Sequence, residues 1–137
     1  MANALYDSAR GAFLRGEINW LVDSFSAVLI DTSIYNVNLA TDATLDSIAP
    51  TAINATGAQP LLTKVVTTVG AADADNVTFT AVSGSQIQAI VIYKDTGASN
   101  TSQLVAYIDT ATGLPITPNT GDIIVTWDDG TNKIFRL

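Results

Sequence analysis

Residues Ile87-Gln-Ala-Ile-Val-Ile-Tyr93 and Leu104-Val-Ala-Tyr-Ile108, joined by a polar loop, decide how this chain is read. Together they predict an antiparallel strand pair near the middle of a β-sheet. Side chains on a strand alternate between faces, so each run divides into two sets. In the first run Gln88, Ile90 and Ile92 share one face, and Ile87, Ala89, Val91 and Tyr93 share the other. In the second, Leu104, Ala106 and Ile108 oppose Val105 and Tyr107. Both faces of both strands are therefore largely apolar. A sheet wetted on one side would alternate apolar and polar residues instead. Something must cover the second face, either this chain or a partner.

Upstream of the pair, further strands are expected at Phe25–Ile30, Leu61–Val69 and Val77–Val82, with Ile18–Val22 a weaker candidate. Gly70–Asn76 and Ser83–Ser85 read as turns. Downstream, Asp109–Pro115 is a turn of residues that satisfy their own backbone. Strands at Asp122–Trp127 and Asn132–Leu137 follow, and Asp128-Asp129-Gly130 between them is a hairpin signal. Seven or eight strands at this spacing suit a sandwich. Residues 31–60 are rich in Asp, Thr, Asn, Ala and Pro, with at most a helical turn at Thr44–Ile48. A loop of that length is expected to be functional or ordered by a partner.

One helix is expected, over residues 3–15, with Asn3 as its cap and Gly16 ending it in a left-handed conformation. Leu5, Tyr6, Ala9, Ala12 and Phe13 form its apolar stripe. So short a helix must dock on something, either the sheet of its own chain or a neighbouring subunit. The expected organisation is an N-terminal helical arm, 1–24, and a β-sandwich domain, 25–137.

The 137 residues suffice for one domain with a sizeable core. Cysteine and histidine are both absent. Their absence removes disulfides, thiolate chemistry, the usual general base and the commonest metal ligand. Thirteen acidic residues against six basic ones give a charge of −7, which disfavours nucleic acid as a partner. Only 14% of residues are charged while 47% are hydrophobic, so small neutral polar groups carry the surface. Such groups enter an interface more cheaply than lysine or glutamate does. No run approaches the ~20 apolar residues of a membrane span, and no signal peptide is read at the N-terminus. A soluble protein made in the cytoplasm is expected.

Acid–base chemistry would fall to carboxylates. Asp73 and Asp75 sit in a turn that faintly resembles a calcium loop but lacks its glycine at the sixth position and glutamate at the twelfth. Asp128 and Asp129 are explained as turn formers. No spacing among the twelve aspartates singles out a converging pair of the kind a glycosidase uses. Asn54, Asn76 and Asn100 open glycosylation sequons, which read as chance products of an Asn- and Thr-rich chain. Trp20, Tyr35, Tyr93, Tyr107 and Trp127 are candidates for a sugar-stacking platform, or for core and interface. No catalytic, cofactor or metal site is expected, and the chain does not read as an enzyme.

Several segments resemble small virion proteins of tailed bacteriophages. They include Met1-Ala-Asn-Ala-Leu-Tyr6, Phe13-Leu-Arg-Gly-Glu-Ile-Asn-Trp20 and Val28-Leu-Ile-Asp-Thr32. Phe79–Gly84, Tyr93–Gly97, Leu104–Pro115 and Val125–Phe135 are similar as well, whereas residues 33–76 match least. Among such proteins the chain resembles the capsid cement, or decoration, proteins. That resemblance implies a jelly-roll-like β-sandwich, a homodimer, and attachment to the outer surface of the major capsid protein on the virion. It carries over no binding residues. The alternative is a tail-associated structural or carbohydrate-binding adhesin module. On the cement reading, Leu5, Tyr6 and Phe13 of the arm, with Tyr93 and Tyr107 of the sheet, are the expected interface. Deleting residues 1–16 is then expected to leave the sandwich folded and to weaken attachment.

Overall fold

A computed structural model of the chain describes residues 4–111 and 113–137. In chain order come β1 (Ala4–Leu5), helix α1 (Asp7–Leu14), β2 (Phe25–Ile30), β3 (Gln59–Pro60), β4 (Val65–Val66) and β5 (Ala71–Asp73). Then follow β6 (Val77–Phe79), β7 (Ala89–Lys94), β8 (Leu104–Ile108), β9 (Ile123–Val125) and β10 (Phe135–Arg136). The described fold is thus mostly β with one α-helix. Its strands form three antiparallel sheets, ordered β1-β8-β7-β2-β3, β10-β5-β4 and β6-β9.

The pair read from the sequence is β7 and β8, and β7 occupies the centre of the five-stranded sheet. Every residue of β2 and β8 is buried, as is β7 up to Lys94. The cover for both faces comes from the chain itself. Register puts Phe25 on one face, with Ile90 and Ile92, and Tyr107 on the other, with Val28 and Val91. The Phe25 ring meets Trp20 at 4.6 Å between centroids, and Trp20 meets Phe135 of β10 at 5.3 Å. The Trp20 indole N–H also donates to the carbonyls of Val65 and Asp73. Trp20 thereby ties the β10-β5-β4 sheet to that face.

Of the two expectations for the 31–60 segment, a functional loop or one ordered by a partner, the second is not needed, because the segment packs within the chain. Its Tyr35, Ile48 and Ala52 are core residues. Its backbone is tied down where Leu104 N–H donates to Ala43 O, Leu45 N–H to Ser102 O and Asn54 N–H to Leu29 O. The expected helical turn is a 3-10 turn at Leu45–Ser47, and a second follows at Pro50–Ala52.

The N-terminal segment also differs from its reading. Ala4 and Leu5 pair with Tyr107 and Ala106 as an edge strand, so the helix starts at Asp7 rather than residue 3. The expected cap, Asn3, lies outside the described residues, as does Thr112 of the 109–115 turn. Gly16 does take the expected left-handed conformation, at φ +73°. Leu5, Tyr6, Ala9, Ala12, Ile18 and Trp20 belong to the one hydrophobic core. Residues 4–24 are therefore built into the β domain and do not form a separable arm.

Three expected strands are shortened by backbone conformation. Thr63 and Ala81 have positive φ, 53° and 50°, which breaks the runs 61–69 and 77–82. Lys133, at φ 49°, does the same ahead of β10. Ile18–Val22 holds no strand, and β5 lies within what reads as a turn. The expected hairpin at Asp128–Gly130 does not form, because β9 pairs with β6 while β10 pairs with β5. Trp127 fixes that divergence. Its indole N–H donates to Asp75 O at 3.0 Å, and its backbone N–H to Asn76 Oδ1 at 3.4 Å.

Candidate interaction surfaces

Four of the five expected interface residues are buried inside the single chain. Leu5 is 6% exposed, Tyr6 0%, and Tyr93 and Tyr107 4% each. All four are core residues, and Tyr6, Tyr93 and Tyr107 offer no surface to a partner. Phe13 is half-buried and packs on Phe135, with centroids 5.7 Å apart. The sequence reading failed here because it lacked the internal cover. With residues 31–60 and the small sheets in place, the two-sided apolar strands need no second protein.

Tyr6 is the most constrained of the four. Its hydroxyl lies 3.0 Å from that of Tyr35, which donates to Asp42 Oδ2 at 2.6 Å. A tyrosine has one hydroxyl proton, so Tyr6 is the donor to Tyr35. Burial pushes the Tyr6 phenol well above its ordinary value. It does the same at Tyr35, reinforced by the Asp42 carboxylate.

The other candidates do not assemble. All five aromatics considered for a sugar platform are buried, and both indole N–H groups are taken by backbone carbonyls. Asp129 projects freely, with 99% of its side chain exposed. Among the described residues, no three His, Cys, Asp or Glu side chains come together as a metal site would need. None of the described helices is long and apolar enough to cross a membrane.

Two surface features are present that the sequence reading did not single out. The first is the open edge at β4. Val65 and Val66 pair with β5 on one side only and are 46% and 50% exposed. Leu62 and Val69 flank them, at 61% and 42%, and Leu21 and Val22 follow Trp20, whose indole is bonded to Val65 O. Four of the ten exposed large apolar residues among the described residues thus lie on this edge strand or next to it in sequence. Such an edge is a template for another chain. Its signal in the sequence was Val65-Val66 itself, apolar on both faces of a run.

The second feature is a groove of about 680 Å³ floored by Leu5, Ala106 and Ile108 and walled by residues 125–128 and 132–137. β1, β9 and β10, each of which ends its sheet, contribute lining residues to it.

No family model matches the chain, and no curated protein matches it.

Proposed function

We propose that this protein is a non-enzymatic capsid cement protein of a tailed phage. On this reading it binds the outer surface of the major capsid protein, and a second copy of itself, and so stabilises the head. The single observation that carries the reading is the open, apolar β4 edge on a domain whose tyrosines and tryptophans are all buried. A cement protein requires no chemistry. It requires a rigid body and a surface that adds to a neighbour. The segments resembling small phage virion proteins, at both ends of the chain and through β7 to β9, support the same assignment. A jelly-roll sandwich would accommodate the three sheets described.

The energetics suit a repeated weak contact. Burying apolar surface contributes roughly 25 cal/mol per Å². Many copies on one shell then act together, as multivalent binders do. A net charge of −7 also keeps the protein from competing for packaged nucleic acid. The adhesin alternative rested on the aromatics together with a jelly-roll-like pattern, and the five aromatics are buried.

Quantitative mass spectrometry of purified heads tests the proposal. The expected result is a copy number comparable to that of the major capsid protein. A few copies per head, or copies confined to tails, would overturn it.

A further inference from the structure

The cations of this acidic protein are not spread evenly. Three of the six basic residues, Arg10, Lys133 and Arg136, line the groove beside β8. The other three are engaged elsewhere. Arg15 pairs with Glu17 at 2.6 Å, Lys94 with Asp23 at 3.2 Å, and Lys64 lies 5.7 Å from the centre of the Phe25 ring.

The groove cations are poorly neutralised by comparison. Arg10 is exposed and makes no ion pair with any described residue. Arg136 donates to a neutral acceptor, the carbonyl of Val69, at 3.1 Å. Lys133 reaches a carboxylate only at 3.9 Å, on the fully projecting Asp129. One acid, Asp128, is itself part of the lining. Arg10 and Arg136 are therefore groove cations that no carboxylate side chain of a described residue pairs with, on a chain whose net charge is −7.

Its walls add a second constraint. β1 has two described residues, β9 three and β10 two, and each is hydrogen-bonded to a neighbour on one side only. All three of these end strands contribute lining residues to one cavity, whose lining also includes the largely buried Ala106 and Ile108 of β8. An extended chain is the ligand form that satisfies strand edges, through main-chain hydrogen bonds.

The geometry points to a peptide-binding groove that takes an extended, acidic segment of a partner protein by strand addition, with Arg10, Lys133 and Arg136 selecting its carboxylates. This site is distinct from the β4 edge and does not depend on where the protein is located.

The test uses the full chain and fluorescein-labelled peptides of about six residues, the usual length of a strand. One alternates Val or Thr with Asp, a second replaces Asp by Lys, and a third replaces it by Ser. Fluorescence anisotropy should show binding of the Asp peptide alone, weakening as salt is raised. Amide resonances of Val125, Thr126 and Ile134 to Leu137 should shift on titration. Combined Arg10→Glu and Arg136→Glu substitution, both at exposed positions, should weaken binding roughly tenfold with the circular dichroism spectrum unchanged. Should the double variant unfold, the salt dependence and the resonance map of the wild-type chain decide the question. Equal binding of all three peptides, binding of none, or resonance shifts confined to β4 would overturn the assignment. So would preferential binding of a single-stranded oligonucleotide in the groove. A chain that binds the Asp peptide yet is absent from heads would retain this site and lose the cement function.

Discussion

Tyr6 and Tyr35 show how a buried polar pair is tolerated in an apolar core. Each hydroxyl is satisfied in sequence, Tyr6 to Tyr35 and Tyr35 to Asp42. Replacing Tyr35 by Phe leaves the Tyr6 hydroxyl without its acceptor and should cost about 1–3 kcal/mol in urea denaturation. All four tyrosines share one electrostatic condition. Burial raises the phenol pKa of Tyr6, Tyr35, Tyr93 and Tyr107 above the ordinary 10.0, and nearby carboxylates at Asp42, Asp95 and Asp109 add to it. In the unfolded chain these phenols ionise near 10, while in the folded chain they hold their protons to higher pH. Their contribution to stability is therefore complete below about pH 10 and is lost above it, by about 1.4 kcal/mol per pH unit for each phenol still protonated. Phenolate absorbance should accordingly appear together with loss of ellipticity in an alkaline titration. Gradual ionisation near pH 10 with the fold intact would contradict the burial of these side chains.

At the scale of elements, the N-terminal segment is part of the core. β1 supplies an edge to β8, and Tyr6, Ala9 and Ala12 are fully buried. Deleting residues 1–16 removes a strand, the helix and these contacts together. It should abolish cooperative thermal unfolding, whereas a free arm would leave the transition in place. The helix itself was legible in the stripe Leu5, Tyr6, Ala9, Ala12 and Phe13, and its end in Gly16. That residues 4 and 5 extend into a strand was not, because the pairing partner Ala106–Tyr107 lies a hundred residues away in sequence. The same division holds elsewhere. β2, β7 and β8 were readable because long apolar runs are specified locally by their own residues. β3 and β5 were not, since strands of two or three residues exist only through their neighbours. The positive φ values at Thr63, Ala81 and Lys133 carry no glycine to announce them. The hairpin at Asp128–Gly130 failed for a related reason. A turn signal states that the chain bends, and Trp127 determines which sheet it then joins.

At the scale of the whole molecule, the surface divides into a neutral polar majority and two specialised regions, the charged groove and the β4 edge. The groove is not legible in the sequence, because Arg10 joins Lys133 and Arg136 only through the fold. The β4 edge makes the decisive prediction about assembly. Val66 is half exposed and lies on the outermost strand of its sheet, so Val66→Lys should change stability by no more than about 0.5 kcal/mol. A lysine on an edge strand opposes pairing with another chain, because its charge would have to be desolvated in the new contact. The variant should therefore unfold at the wild-type urea midpoint and fail to decorate heads lacking the native protein. Val66→Thr keeps the β-branched shape without the charge and should decorate nearly as well as wild type. If Val66→Lys occupies heads at wild-type stoichiometry, the β4 edge is not the attachment surface, and the apolar residues around it need another explanation.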